Sequence, residues 1–142
     1  MTNLHNKSLL YPELSYKLQG AIYNVSNKYG NGLKEKIYQK ALAEELKKQE
    51  INFVEQKRIN IYSVDSGKIL GTYVPDFIIN NKIILEIKAS NFTTRQDVNQ
   101  QRSYLKASIY EIAYLVNFGT PKLYMQRSIY TNDRKPFVNI RH

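Results

Sequence analysis

The segment YVPDFIINNKIILEIKA, residues 73 to 89, sets Asp76, Glu86 and Lys88 inside runs that otherwise read as buried strand. A carboxylate or ammonium stranded in an apolar sheet costs several kcal/mol unless something pairs with it. Side chains two apart on a strand share a face, so Glu86 and Lys88 project together while Ile83, Leu85 and Ile87 turn the other way into packing. A hairpin centred on Asn80 and Asn81 puts Asp76 opposite residue 85 or 86. Two carboxylates then converge with one lysine. Like charges about 4 Å apart repel by roughly 4 kcal/mol at an effective dielectric of about 20, which Lys88 relieves only in part. A divalent cation relieves it fully. Mg2+ takes one or two carboxylates together with water and phosphate oxygens, so Asp76 and Glu86 suffice as protein ligands, joined by the backbone carbonyl of Ile87. Lys88 would then orient or help deprotonate an attacking water and stabilise charge on the phosphate.

Glu-x-Lys by itself carries little weight, because the chain repeats it at Glu45-Leu46-Lys47 and Glu55-Gln56-Lys57. The first falls in a helical segment, where positions i and i+2 do not face each other. The second has no aspartate on a preceding paired strand. The competing reading of Asp76, Glu86 and Lys88 is a cross-strand ion pair at an exposed edge, worth ~0 to 1 kcal/mol. These three residues alone leave both readings open.

The elements that would position them follow from periodicity. Residues 12–28 open with a helix-compatible proline and repeat Leu14, Leu18, Ile22 and Val25 at helical spacing, until YGNG stops them. Residues 33–49 predict a second helix, with Leu33, Ile37, Ala41, Leu42 and Leu46 on its apolar side. From Phe53 the pattern becomes strand-like: FVEQKRINIYSV, a DSG turn, KILGTYVPDFII, an NNK turn and IILEIKA predict a three-stranded antiparallel meander. TTRQDVNQQRSYLKAS reads as a helix, and EIAYLVNF and KLYMQRSI as strands split by GTP. Residues 131–142 fit no pattern. The order α, α, β, β, β, α, β, β predicts an α/β architecture, a mixed sheet flanked by helices. With no repeat, low-complexity tract or Pro- or Ser-rich linker, one domain is expected over 1–142, its core at about 12–130.

A chain of 142 residues can bury roughly 70% of the surface its unfolded form exposes. The absence of cysteine excludes disulfides and thiolate metal sites and makes the cytoplasm the default compartment. The N-terminal residues lack a signal-peptide pattern and no run approaches the ~20 apolar residues of a membrane span, so no membrane partner is expected. A formal charge of +9, from 21 Lys and Arg against 12 Asp and Glu, attracts polyanions and is compatible with a phosphate backbone, but charge alone names no partner.

Pro75-Asp76, nine intervening positions and Glu86-Ile87-Lys88 together resemble the signature of the PD-(D/E)XK nuclease superfamily, and the α-β-β-β-α-β order resembles its restriction-endonuclease-like core. More narrowly, Gly32-Leu33-Lys34-Glu35-Lys36-Ile37-Tyr38 resembles the motif of the GxxExxY family within it. DFIINNKIILEIKA is similar to that family's central hairpin, Gln100 with Tyr104-Leu105-Lys106-Ala107 to its next helix, and Asn117-Phe118-Gly119 to a strand end. The similarity runs over about residues 14–128. The resemblance implies a nuclease that uses Mg2+ or Mn2+ to hydrolyse phosphodiester bonds, in DNA before RNA. It also implies that Glu35 joins Asp76 and Glu86 at the metal, and that Gln100 bonds a phosphate or positions the water. Glu35, Tyr38 and Leu42 share one helical face by spacing, so Glu35 can reach inward beside buried neighbours. Two positions depart from the family pattern: Asp97 stands where histidine is common, and Ala113 where glycine is. Both histidines, His5 and His142, are terminal and receive no role.

Arg95, Arg102 and Lys106 are placed to track a nucleic-acid backbone and Tyr104 to stack on a base, while the lysines at 34, 36, 40, 47 and 48 read as a solvated face. Most of the aromatics read as core. Gly30-Asn31-Gly32 reads as a turn between helices rather than a phosphate loop. A fold does not dictate an activity. A non-cleaving nucleic-acid-binding module and a structural subunit therefore stand beside the nuclease as expectations, with a homodimer as one way to address both strands of a duplex.

Overall fold

The computed structural model describes residues 10–140, the side chain of Ile140 excepted; His5 and His142 lie outside the described residues. Helices α1 (Pro12–Tyr29) and α2 (Glu35–Lys48) pack on each other through Leu18, Ala21, Ile22 and Val25 from the first and Tyr38, Leu42 and Leu46 from the second, all buried. Helix α2 begins two residues later than its periodicity predicts, which makes Glu35 its first residue. Ile37, expected on the apolar side, is 47% exposed, because Tyr38, Leu42 and Leu46 at i, i+4 and i+8 define a buried stripe that leaves position 37 off it. Glu45 is buried between the helices and accepts from Lys28 Nζ at 2.9 Å, Asn24 Nδ2 at 3.1 Å and Gln49 Nε2 at 2.7 Å. Those donors pull its carboxyl down to about 2. The first Glu-x-Lys of the chain is thus spent on helix packing.

The strands are β1 (Phe53–Glu55), β2 (Ile59–Tyr62), β3 (Ile69–Tyr73), β4 (Phe77–Ile79), β5 (Ile83–Lys88), β6 (Ile112–Asn117) and β7 (Tyr124–Ile129), with α3 (Arg95–Lys106) crossing from β5 to β6. A five-stranded sheet has the order β1-β4-β5-β6-β7, in which β5 and β6 run parallel and the other neighbours antiparallel. Strands β2 and β3 form a separate two-stranded sheet. The mixed α/β architecture therefore stands, but each of the two long strands expected between Phe53 and Ile79 is broken in two. Gln56 takes a φ of 55° between β1 and β2. Pro75, which has no N–H to give a ladder, separates β3 from β4. Across the two breaks Gln56 N donates to Asp76 O at 3.1 Å, so the outer half of the hairpin peels away as one unit.

Alternation along the strands divides the core between two faces. Phe77, Ile79, Ile83, Leu85, Ile87, Tyr114 and Val116 pack toward α1 and α2. Ile78, Ile84 and Ala113 join Leu105 of α3, with Ile59 and Tyr110, on the other side. The C-terminal stretch that fits no sequence pattern forms a 3₁₀ turn (Asn132–Arg134) and a short helix α4 (Phe137–Ile140). Lys135, 2% exposed, ties it down by donating to Ser108 O at 2.7 Å and Tyr110 O at 2.6 Å. Among the described residues no helix is long and apolar enough to cross a membrane.

Candidate active site

Asn80 and Asn81 both adopt positive φ, 49° and 55°, the conformation that a two-residue hairpin of matching twist requires. The turn sets the register Ile79↔Ile83, Ile78↔Ile84 and Phe77↔Leu85. One step further places Asp76 against Glu86. Beyond the end of β4, Asp76 Oδ2 accepts from Ile87 N at 2.7 Å. Lys88 O accepts from Phe118 N of the neighbouring strand at 2.9 Å, so by alternation the N–H and C=O of Ile87 face the other way, toward Asp76. Asp76, Glu86 and Lys88 have the parity of Ile78 and Ile84 and occupy the α3 side of the sheet. Glu35 comes from the opposite layer and remains exposed at the first turn of α2. Tyr38 holds that turn in place: its hydroxyl donates to Gly30 O at 2.5 Å and accepts from Leu33 N at 3.2 Å, and its ring stacks on Phe118 at 4.6 Å.

The carboxylates are electrostatically coupled. Burial, with repulsion from Asp76 and Glu35, raises the Glu86 carboxyl to about 7 against the opposing pull of the Tyr73 hydroxyl and Lys88. Burial also raises Asp76, outweighing the Ile87 N–H, Lys88 and the Gln56 side chain. Glu35, though exposed as a residue, is raised by partial desolvation of its carboxyl and then by Asp76, while Lys88 lowers it. One ammonium is therefore felt by all three acids. Among the described residues no group of three or more His, Asp or Glu stands close enough to hold a metal ion by itself. Asp76 and Glu86 with the Ile87 carbonyl nevertheless form a hard-oxygen donor set of the kind Mg2+ uses with water and phosphate. Their raised proton affinity marks a desolvated excess of negative charge, which is what a dication would neutralise. The residues fit such an ion; Glu35 enters the same field from α2.

Tyr73, Glu86, Lys88, Asp97, Gln100, Gln101 and Leu115 line one cleft between the sheet and α3. Gln100 is thus brought beside Glu86 and Lys88. Tyr73, which sequence reasoning passed over, donates its hydroxyl to Glu86 Oε1. Burial raises that phenol far above its ordinary range, with the neighbouring Glu86 charge adding to it, so Tyr73 stays a proton donor. Tyr104 stacks on Tyr73 with ring centroids 4.0 Å apart. One face of the ring expected to receive a base is therefore covered. Gln101 was also missed; it is buried and donates to Tyr114 O at 2.8 Å, and its i, i+4 relation to Leu105 was the signal that could have found it. Asp97 closes a capping box with Thr94, whose Oγ accepts from Asp97 N at 3.0 Å. Arg95, Arg102 and Lys106 do not line this cleft. They lie on the side of α3 that faces β7.

The loop after Lys88 is clamped by the end of β6. Asn117 Oδ1 accepts from Ser90 N at 3.1 Å and Gly119 N at 2.9 Å, and its Nδ2 donates to Ser90 Oγ at 3.2 Å and Thr93 Oγ1 at 3.0 Å. A Cβ on Gly119 would sit 2.6 Å from the backbone of Ala89 and Ser90, closer than any real contact. Gly119→Ala must therefore displace the segment that carries Lys88. The expected cost is about 1–3 kcal/mol, the range for overpacking, read as a lower midpoint of thermal unfolding. An unchanged midpoint would show that the close approach does not exist.

Residues 12–128 match the sequence model of the PD-(D/E)XK nuclease superfamily. The chain belongs to that superfamily, a class of nucleases that typically use divalent metals. The crystal structure of SSO0001 is similar over 96% of this chain and 65% of that one, at 22% identity and a TM-score of 0.49. No curated protein matches.

Proposed function

We propose that the protein is a Mg2+- or Mn2+-dependent phosphodiesterase of the GxxExxY branch, acting on DNA in the cytoplasm, with its catalytic unit over residues 12–130. One observation carries the reading: the hairpin register sets Asp76, just before β4, against Glu86 on β5, with Lys88 lining the same cleft as Glu86 and Glu35 of α2 within their electrostatic reach. Asp76, Glu86 and the Ile87 carbonyl would hold the cation, and Glu35 adds negative charge from the α2 side. Bound there, the cation supplies a lowered water pKa and charge neutralisation at phosphate. Lys88 orients the attacking water and stabilises the charge that grows on the phosphate oxygens during in-line displacement. Gln100 bonds the phosphate from the mouth of the cleft. Tyr73 keeps the Glu86 carboxyl in one rotamer, with Tyr104 stacked behind it.

A non-cleaving nucleic-acid-binding module draws support from a different observation, the Tyr73 hydroxyl already engaging an oxygen that the cation would need. Titration with Mg2+ and Mn2+, followed by assay on single-stranded, duplex and branched DNA and on RNA, separates the two. Cleavage that appears with metal and stops with chelator is the expected result. Salt-sensitive binding with no cutting at any metal concentration would establish the module instead.

A further inference from the structure

We infer that the trough between α3 and β7 is a second subsite, distinct from the Glu86–Lys88 cleft, that holds the phosphodiester backbone of a nucleic-acid strand. Its ligand class rests on the nuclease reading above. Positions 95, 99, 102 and 106 of α3 follow helical spacing and form one face, and alternate residues of β7, Tyr124, Gln126 and Ser128, form the opposite wall. Two clefts lie end to end along this seam and share Arg102; Arg95 lines one and Lys106 the other. Neither lining contains Asp or Glu. In a chain with a net charge of +9, this seam is a trough whose charged lining residues are all cations.

The cations have a repeat that suits a strand. Seven and then four residues separate Arg95, Arg102 and Lys106, or about 10 Å and about 6 Å along a helix that rises 1.5 Å per residue. For one strand of a duplex, which advances about 3.4 Å per phosphate along the helix axis, those steps correspond to roughly three and two nucleotides where that axis runs along α3. The side chains are also placed. Arg102 Nε donates to Ser128 Oγ at 3.1 Å, which fixes the guanidinium plane. Lys106 Nζ sits over the Tyr130 ring at 5.5 Å, and Arg134 lies against that ring at 4.1 Å. The trough starts at Thr93, whose Oγ1 is held by Asn117 in the clamp that follows Lys88. Leu115 of the cleft and Gln126 of the trough are paired across β6 and β7, so the two clefts occupy adjoining strands of the sheet.

The test measures binding rather than cleavage, so that failure of the subsite and failure of the nuclease reading are distinguishable. Lys88→Ala protein in chelator is titrated with fluorescent DNA of five, ten and twenty nucleotides, single-stranded and duplex, over a range of salt. Adding Arg95→Gln and Lys106→Gln is expected to weaken binding at least ~10-fold at low salt and, for single strands, to lower the slope of log K against log salt by about 1.4, at about 0.7 per phosphate contact. Arg95→Lys with Lys106→Arg keeps both charges and is expected to retain the slope, which separates lost contacts from a lost fold. A larger effect on single strands assigns the trough to a free strand, and a larger effect on duplex to one strand of a helix. Unaltered affinity and slope in the double Gln variant, or equal competition by polyglutamate, would overturn the subsite.

Discussion

Lys88→Ala lowers metal-dependent cleavage by ~10²–10³-fold, the effect of removing one donor that acts on developing charge, while the protein stays folded. The side chain is separable from the strand that carries it: the backbone of Lys88 bonds Phe118, and its side chain projects into the cleft with Glu86 and Gln100. Among the described residues it is also the ammonium that lowers proton affinity at Glu35, Asp76 and Glu86 together. Its loss therefore leaves three acids with less relief, and the metal-free variant is expected to melt slightly below wild type, with the gap closing when Mg2+ is added. Lys88→Arg is not expected to rescue cleavage, since a planar fork does not replace a compact ammonium. Rates at saturating Mg2+ and Mn2+, with circular dichroism on the same samples, decide the matter. Wild-type turnover in Lys88→Ala would remove the lysine from the chemistry.

Glu86→Gln separates stability from activity in opposite directions. Burial raises the Glu86 carboxyl to about 7 in the folded protein, from an ordinary value of 4.5. Below about pH 4.5 both folded and unfolded chains hold the proton, and the group costs nothing. Between about 4.5 and 7 the unfolded chain has released it and the folded one has not, so stability falls as pH rises. Above 7 the penalty is complete, at about 3–4 kcal/mol by the usual conversion of pKa shifts. Glutamine keeps the oxygen that accepts from Tyr73 and removes the charge. In chelator at pH 8 the variant should unfold at a higher temperature than wild type by several degrees, and the advantage should vanish near pH 4. Cleavage should drop by at least ~10²-fold, since even the outer partners of metal ligands are worth ~10–100-fold. A variant that melts with wild type at every pH would mean that Glu86 carries no buried charge.

The β4–β5 hairpin was readable from the chain because everything that builds it is local. Two asparagines able to take positive φ set the turn, and a period of two then decides which side chains share a face. Convergence of Asp76, Glu86 and Lys88 follows from those facts alone. Helices α1 to α3 were legible for the same reason, each being a pattern within one segment, whereas the parallel pairing of β5 with β6 shows only in the fold. The break at Gln56 and Pro75 was not. Alternation continues across it in the sequence, and only pairing of β1 with β4 in one sheet and β2 with β3 in another shows that the chain bends there.

What the sequence determined by itself, then, was the class of architecture and a pair of carboxylates beside a lysine, because short-range periodicity specifies the facing of neighbours. Tertiary structure alone decided how those groups are supported and which surface the other cations serve. Tyr73 reaches Glu86 from a separate sheet, Asn117 clamps a loop 27 residues earlier in the chain, and Lys135 is buried against carbonyls 25 and 27 residues away. Arg95, Arg102 and Lys106, read from the sequence as cations able to track a nucleic-acid backbone, face β7 because the opposite side of α3 is committed to the sheet through Gln101 and Leu105. A helix sequence shows that it has a buried stripe; the direction in which that stripe points is set by partners distant in the chain.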